Sequence, residues 1–333
     1  KLEFNPDIYR TMEKRFQVRG MEMPPVNKKQ AYVFKGADIL LNPNGTACGQ
    51  WLDTGINKIA LLPGPPHEIK PMFDNFVLPR LAPYQTTKVS RLVLKITGLT
   101  ESRVETLIED LYLKDKSIQL TILAKPGQIE IHLTGKSKDA LKAEEKISRL
   151  GALISGRLGE NVFSTGGESL EYVVGDLLRA RKETLAAAES CTGGLLGHRL
   201  TNIPGSSDYF LMGAVTYSNR AKIKMLDIPS ALIEQHGAVS TPIASAMAEG
   251  IRKKAGADYG LGITGIAGPG GGTAAKPVGL VNIGLATSQG TETISQTFLG
   301  PREIIKFQAT QKALDILRRQ IQKSAVKKAK DSS

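Results

Sequence analysis

The chain has 333 residues, enough to bury roughly two or three cores. Its hydrophobic content of 41% and charged content of 23% are ordinary for a globular protein in water. No apolar run is long enough to span a bilayer and no signal-peptide pattern opens the chain, so no membrane partner is expected. Lys1-Leu2-Glu3-Phe4 reads as the middle of a domain, and a truncated N-terminus is expected. Two distant cysteines, Cys48 and Cys191, argue against a disulfide framework and for a reducing cytoplasm. His67, His132, His198 and His236 are scattered, with no CxxC or HExxH spacing, which argues against a structural zinc site. The net charge of +12 is compatible with nucleic acid or anionic nucleotides, but aromatics are only 5% of the chain, too sparse for a stacking platform.

Three segments and a tail follow in order. Residues 1–88 open with a helix. Asn57-Lys58-Ile59-Ala60-Leu61-Leu62 then reads as a buried strand, broken by Pro63-Gly64-Pro65-Pro66. An apolar helix carrying Ile69, Met72, Phe73 and Phe76 comes next, completing an α/β unit. Residues 89–165 alternate more regularly. A strand at Leu92–Ile96 and a helix at Thr100–Leu113 precede two strands that turn at Lys125-Pro126-Gly127-Gln128. A helix over 137–155 and a short strand near Val162 complete a β-α-β-β-α-β sandwich. It shows no phosphate loop, and a spacer or dimerisation module is the expectation.

Residues 166–322 begin with an amphipathic helix bearing Leu170, Val173, Val174, Leu177 and Leu178. Strands are expected at Leu185–Ala188, Ala214–Tyr217, Tyr259–Thr264 and Val278–Ala286, with helices between and a last helix over 303–319. The fold class is α/β, multidomain, with this third segment an α/β sandwich. Lysines crowd residues 323–333, which read as a disordered basic tail.

The third segment also holds the residues that carry chemistry. Glu189-Ser190-Cys191-Thr192-Gly193-Gly194 lies between a strand and a helix, where backbone N–H groups cradle a phosphate or an oxyanion; plain helix capping is the bland alternative. Pro204-Gly205-Ser206-Ser207 reads first as a capped turn. Lys222 follows Tyr217-Ser218-Asn219 in a first helical turn, where the macrodipole favours loss of its proton; otherwise it is a solvated surface residue. Gly265 to Gly272 form a glycine-rich loop without the ending of a P-loop, suited to close backbone approach to a ligand.

These motifs, with His236-Gly237-Ala238-Val239-Ser240 and Lys276-Pro277-Val278-Gly279, occur in an order that resembles the C-terminal domain of the CinA (competence/damage-inducible protein A) family. Asn42-Pro43-Asn44-Gly45-Thr46-Ala47 and Leu62-Pro63-Gly64-Pro65-Pro66-His67-Glu68 resemble the latter half of that family's molybdopterin-binding-like domain, and the middle sandwich resembles its KH-like domain. The resemblance implies a nicotinamide mononucleotide deamidase releasing nicotinic acid mononucleotide and ammonia. It implies Ser207 as nucleophile, Lys222 as base and Tyr217 as polar partner. Ser190, Thr192, Gly193, Thr264, Gly265, Gly268 and Arg302 fall on substrate-binding positions, with Arg302 toward the 5′-phosphate.

No cofactor is expected for deamidation. A divalent metal enters only with a complete N-terminal pyrophosphatase domain, whose acidic and glycine-rich first-half motif this sequence lacks. The expected partners are the nucleotide substrate and further copies of the chain, and nucleic acid is not among them. The rival expectations are a metal-dependent ADP-ribose pyrophosphatase and a non-enzymatic competence or damage-response partner.

Overall fold

The computed structural model describes residues 1–84, 87–113, 117–137 and 139–331, excepting the side chains of Ala140 and of residues 325–331. Two compact units result, Lys1–Thr87 and Lys88–Ser333. The first holds β1 (Leu2–Phe4), α1 (Pro6–Val18), β2 (Tyr32–Phe34), β3 (Asp38–Leu40), β4 (Gly49–Asp53), β5 (Lys58–Leu61), α2 (Pro66–Met72) and α3 (Leu78–Leu81). Strands β3, β4 and β5 form an antiparallel sheet over a core of Leu40, Trp51, Met72 and Val77. Strand β5 is an edge strand with Ile59 and Leu61 exposed, so it is not the buried strand that its apolar run suggests. The apolar helix is interrupted as well. It passes through a wide turn at Phe73–Val77 before α3. Pro71 lies inside α2 and Pro79 follows that turn, and proline removes a helical hydrogen bond. The two glycine- and proline-rich motifs of this unit meet at Asn42, whose amide donates to Glu68 Oε2 at 2.7 Å and whose Oδ1 accepts from the Asn44 and Gly45 N–H groups.

The second unit opens with β6 (Lys88–Ile96), α4 (Glu101–Tyr112), β7 (Ile118–Lys125), β8 (Gln128–Ser137), α5 (Ala140–Leu158) and β9 (Val162–Ser164). This is the β-α-β-β-α-β order that the alternation predicts. The sheet runs β7-β8-β6-β9, and its inward residues, among them Leu94, Ile96, Ile131 and Leu133, pack on Val104 and Ile108 of α4 and Ile147 and Ile154 of α5.

A larger α/β sandwich follows: α6 (Leu170–Arg181), β10 (Leu185–Glu189), α7 (Leu195–Thr201), β11 (Phe210–Val215), α8 (Asn219–Leu226), α9 (Ser230–His236), α10 (Thr241–Ala255), β12 (Tyr259–Gly265), β13 (Leu280–Thr287), β14 (Gly290–Thr297) and α11 (Arg302–Asp331). Its sheet runs β11-β10-β12-β13-β14, with β10 parallel to both neighbours and β13 and β14 antiparallel. Every residue of β10 is buried, as expected for a strand covered on both faces. Leu185, Ala187, Leu261 and Ile263 face α6 and α11, while Ala186 and Ala188 face α10.

Three expectations change. Strand β11 ends at Val215, so Thr216 and Tyr217 lie beyond it. The polar sequence of β14 carries no apolar alternation and gave no strand signal, but the strand pairs with β13 along its whole length. Helix α11 continues to Asp331, where a disordered tail was expected from 323; the alanines and lysines of that stretch are good helix formers. Residues 332 and 333 of that expected tail lie outside the described residues.

The small sandwich and the large one share a single compact unit because α11 ties them together. Asp315 and Arg318 are almost fully buried. Asp315 Oδ1 accepts from Thr97 Oγ1 at 2.9 Å and from Arg318 at 2.7 Å, and Arg318 also donates to the Glu160 carbonyl at 2.7 Å. Arg319 bonds Asp315 and Asn161, and Gln311 donates to Gln128. Removing one partner of a buried ion pair leaves the other charge without compensation. Asp315→Ala is therefore expected to cost about 3–5 kcal/mol, read as a fall in the urea midpoint of the full chain. A loss within experimental error would show that water reaches Arg318.

Candidate active site

The parallel strands bring their C-terminal ends to one edge of the sheet, where ligands bind in open α/β folds. At this edge β10 ends in Glu189 beside Val215 of β11 and Ile263 of β12. The chain then turns through Gly193 and Gly194, both at positive φ, into α7. The Glu189 carboxylate accepts from the N–H groups of Gly194, Leu196 and Gly197 at 2.9–3.0 Å. Of these three donors only Gly194 belongs to the Glu189–Gly194 loop read from sequence as a phosphate or oxyanion cradle, and the other two lie in the first turn of α7. The Gly193 N–H goes to the Ser190 carbonyl. The N–H groups of Cys191 and Thr192 go to no backbone carbonyl among the described residues, and that of Cys191 faces its own thiol.

Ser190 follows Glu189 on the α8 and α10 face of the sheet. Its backbone is fixed by donation to the Ile263 carbonyl at 2.9 Å. Lys222 reaches it from α8, a helix capped by Ser218 Oγ, which accepts from the Ala221 N–H. The lysine is no surface residue: it is 1% exposed. Its Nζ lies 3.0 Å from Ser190 Oγ and 2.8 Å from the Thr216 carbonyl, with the Tyr217 carbonyl at 3.5 Å. No carboxylate pairs with it among the described residues, and burial lowers its pKa below the ordinary lysine value. Cys191 is buried alongside, and burial pushes its thiol up to about 11, so the thiol stays protonated and is a poor nucleophile at neutral pH.

Thr264 lies beside Ser190 at the end of β12, buried, with its hydroxyl donating to the Ala238 carbonyl at 2.8 Å. Thr192 is also buried, and its hydroxyl has no partner among the described residues. Gly265 and Gly268 keep backbones close: a Cβ at Gly265 would lie 2.6 Å from the Leu280 carbonyl oxygen, and one at Gly268 would lie 2.6 Å from Val278. Arg302, at the head of α11, donates to the Gly268 carbonyl at 2.8 Å and to the Tyr217 hydroxyl at 3.2 Å.

Two contributors were missed. Thr216 supplies the carbonyl that orients Lys222. Lys306, one helical turn after Arg302, points its amine to within 3.7 Å of where a Gly193 side chain would begin. The i, i+4 spacing from Arg302 was the signal for Lys306.

Ser207 is the exception. It is exposed, in the 3₁₀ turn Ser206–Asp208 that precedes β11, at the sheet edge opposite Lys222. The six residues of β11 separate the two edges by roughly 20 Å at about 3.3 Å per residue. The expected Ser207–Lys222 pair does not form within one chain, because its members sit at opposite ends of one strand. Lys222 meets Ser190 instead.

A buried lysine on a serine hydroxyl, at the strand ends of an α/β sandwich, is an arrangement that can supply a nucleophile and a base. The family model described as the CinA C-terminal domain matches residues 167–321, and that of the damage-inducible protein CinA KH domain matches 91–164. A competence-damage inducible protein of Moorella thermoacetica is 47% identical over 319 residues, covering 95% of this chain and 77% of that protein. A CinA-like protein of Koribacter versatilis is 44% identical, covering 96% of this chain and 79% of that protein. The chain belongs to the CinA family. Among solved structures, a CinA superfamily protein from Klebsiella pneumoniae aligns with a TM-score of 0.44 at 32% identity, over 46% of this chain and 98% of that one. No helix among the described residues is long and apolar enough to cross a membrane, and no group of three or more His, Cys, Asp or Glu among them is placed to hold a metal ion.

The lowered pKa of Lys222 carries a stability signature. The folded chain favours the neutral amine, whereas the unfolded chain binds the proton up to about 10.4. Between the lowered value and the ordinary one the unfolded state binds more protons, so stability rises with pH. Urea midpoints of wild type relative to Lys222→Met should therefore climb from neutral pH toward the ordinary lysine range. A difference that stays flat would mean that Lys222 keeps its proton throughout.

Proposed function

We propose that the chain is an amidohydrolase that deamidates nicotinamide mononucleotide, with Ser190 as nucleophile and Lys222 as base. The observation that carries the reading is the 3.0 Å approach of a buried lysine, lowered in pKa, to a serine hydroxyl at the strand ends. An amide needs an activated nucleophile, charge stabilisation at its oxygen and a proton for departing ammonia.

Ser190 Oγ attacks the carboxamide carbon while its proton passes to neutral Lys222. The resulting oxyanion is stabilised by the N–H groups of Cys191 and Thr192, neither of which is tied to a backbone carbonyl among the described residues. Lys222 then returns the proton to the amide nitrogen, ammonia leaves, and Ser190 holds an acyl ester. Water attacks the ester as Lys222 takes its proton, releasing the acid and restoring the serine. The substrate's cationic ring helps keep Lys222 neutral by like-charge repulsion. Arg302 and Lys306, on one face of α11, suit its phosphate.

Ammonia release by the full chain tests the reading. Ser190→Ala and Lys222→Ala should each fall at least on the order of a thousandfold, with the double variant scarcely worse. Lys222→Arg should fail too, since guanidinium does not give up its proton. Ser207→Ala should stay near the wild-type rate. The rate should rise with pH through a lysine pKa below about 10.4. Activity lost in Ser207→Ala but kept in Ser190→Ala would move the nucleophile to Ser207.

A further inference from the structure

The small sandwich and the large one do not close on each other completely along α11. Between the anchor at Asp315 and the turn before β8, where a Cβ at Gly127 would lie 3.0 Å from Gln311, a cleft of about 540 Å³ remains. Its far wall is the end of β14 and the connection that follows it, from Gln296 to Leu299. Clefts of about 300–1,000 Å³ hold small molecules, and domain junctions are a common place for them. Neither Ser190 nor Lys222 lines this one, so it is separate from the candidate active site.

The polar groups of the lining are unevenly satisfied. Asp315 is its one carboxylate among the described residues, and Arg318 and Arg319 neutralise it. Lys125 is paired with Glu130 at 2.9 Å, whereas Lys312 has no acid partner among the described residues. Gln311 spends its amide on Gln128 and Arg199. Gln308, one turn earlier on α11, keeps a buried Oε1 that meets no donor among the described residues. Buried acceptors are seldom left so. At the rim Leu299 is 81% exposed, next to the buried ring of Phe298.

We propose that this cleft is a second ligand site, that it takes a nucleoside monophosphate, and that its occupant steadies Arg302. Each half of such a ligand answers one feature of the lining. The unpaired Lys312 suits a phosphate, the Gln308 oxygen needs an N–H of the kind a base edge carries, and the exposed Leu299 offers an apolar surface to the face of a ring. The link to Arg302 is short. Leu299 leads to Gly300, whose φ of +120° favours glycine and where a Cβ would lie 3.1 Å from Ile304, then to Pro301 and Arg302. A ligand resting on Leu299 thus bears on the segment that delivers Arg302 to Gly268 and Tyr217.

Isothermal titration of the full chain with guanosine 5′-monophosphate tests binding without reference to catalysis, so its outcome is separate from the amidase reading. Saturable binding is expected, weaker by about tenfold or more for guanosine and for ribose 5-phosphate, each of which lacks one half of the ligand. Lys312→Met should weaken the monophosphate and ribose 5-phosphate alike by about tenfold or more. Gln308→Leu should weaken the monophosphate but leave ribose 5-phosphate unchanged. Lys306→Ala, which alters the candidate active site, should change neither. Hydrogen exchange over residues 296–306 should slow when wild type is saturated, and not in Gln308→Leu at the same concentration. Should a cleft variant fail to fold by circular dichroism, the three ligands and the exchange map on wild type decide. No saturable binding at millimolar guanosine 5′-monophosphate overturns the inference. So does binding that Lys306→Ala abolishes, or that both cleft variants leave intact. Binding without slower exchange at 299–302 overturns the link to Arg302.

Discussion

The site depends on keeping an amine dry. Lys222 Nζ is removed from water and held by a serine hydroxyl and a backbone carbonyl, with no acid among the described residues to fix its proton. Much else at this edge serves that arrangement. The Thr216 carbonyl is available because β11 ends one residue earlier, and Ser190 is immobile because its N–H is tied to β12. Glu189 occupies the start of α7 and holds the following turn in shape. A serine and a lysine 32 residues apart in sequence become neighbours through the parallel pairing of β10 with β11.

The architecture was largely legible from sequence. In the small sandwich, Ile118, Leu120 and Ile122 alternate against Ile129, Ile131 and Leu133, and two-residue periodicity admits few other readings. The all-apolar Leu185-Ala186-Ala187-Ala188 run likewise reads as a strand buried on both faces. Strand β14 was not legible, because an edge strand gains its place from its neighbour's hydrogen bonds rather than from side chains that need burial.

The site was legible in its members but not in its pairing. Ser190, Thr264, Lys222, Tyr217 and Arg302 gather at one edge, whereas Ser207 does not. Proximity between residues on separate strands is a matter of register, which local sequence carries weakly. The burial of Lys222 was hidden for a related reason. In Asn219-Arg220-Ala221-Lys222-Ile223-Lys224 it is one of three cations on a short helix, and only tertiary packing decides which of them loses water.

Helix α11 bears Arg302 at its head and Asp315 part way along, where it is anchored to the small sandwich. At about 1.5 Å rise per residue the two positions lie roughly 20 Å apart along one stiff rod. The helix is therefore a lever with its fulcrum in the neighbouring domain. A tilt of about 5° at that fulcrum swings Arg302 by nearly 2 Å at this lever length, a displacement large enough to spoil the alignment of a bound substrate. The small sandwich, none of whose described side chains belongs to the site, thereby acts as the datum from which the site is measured.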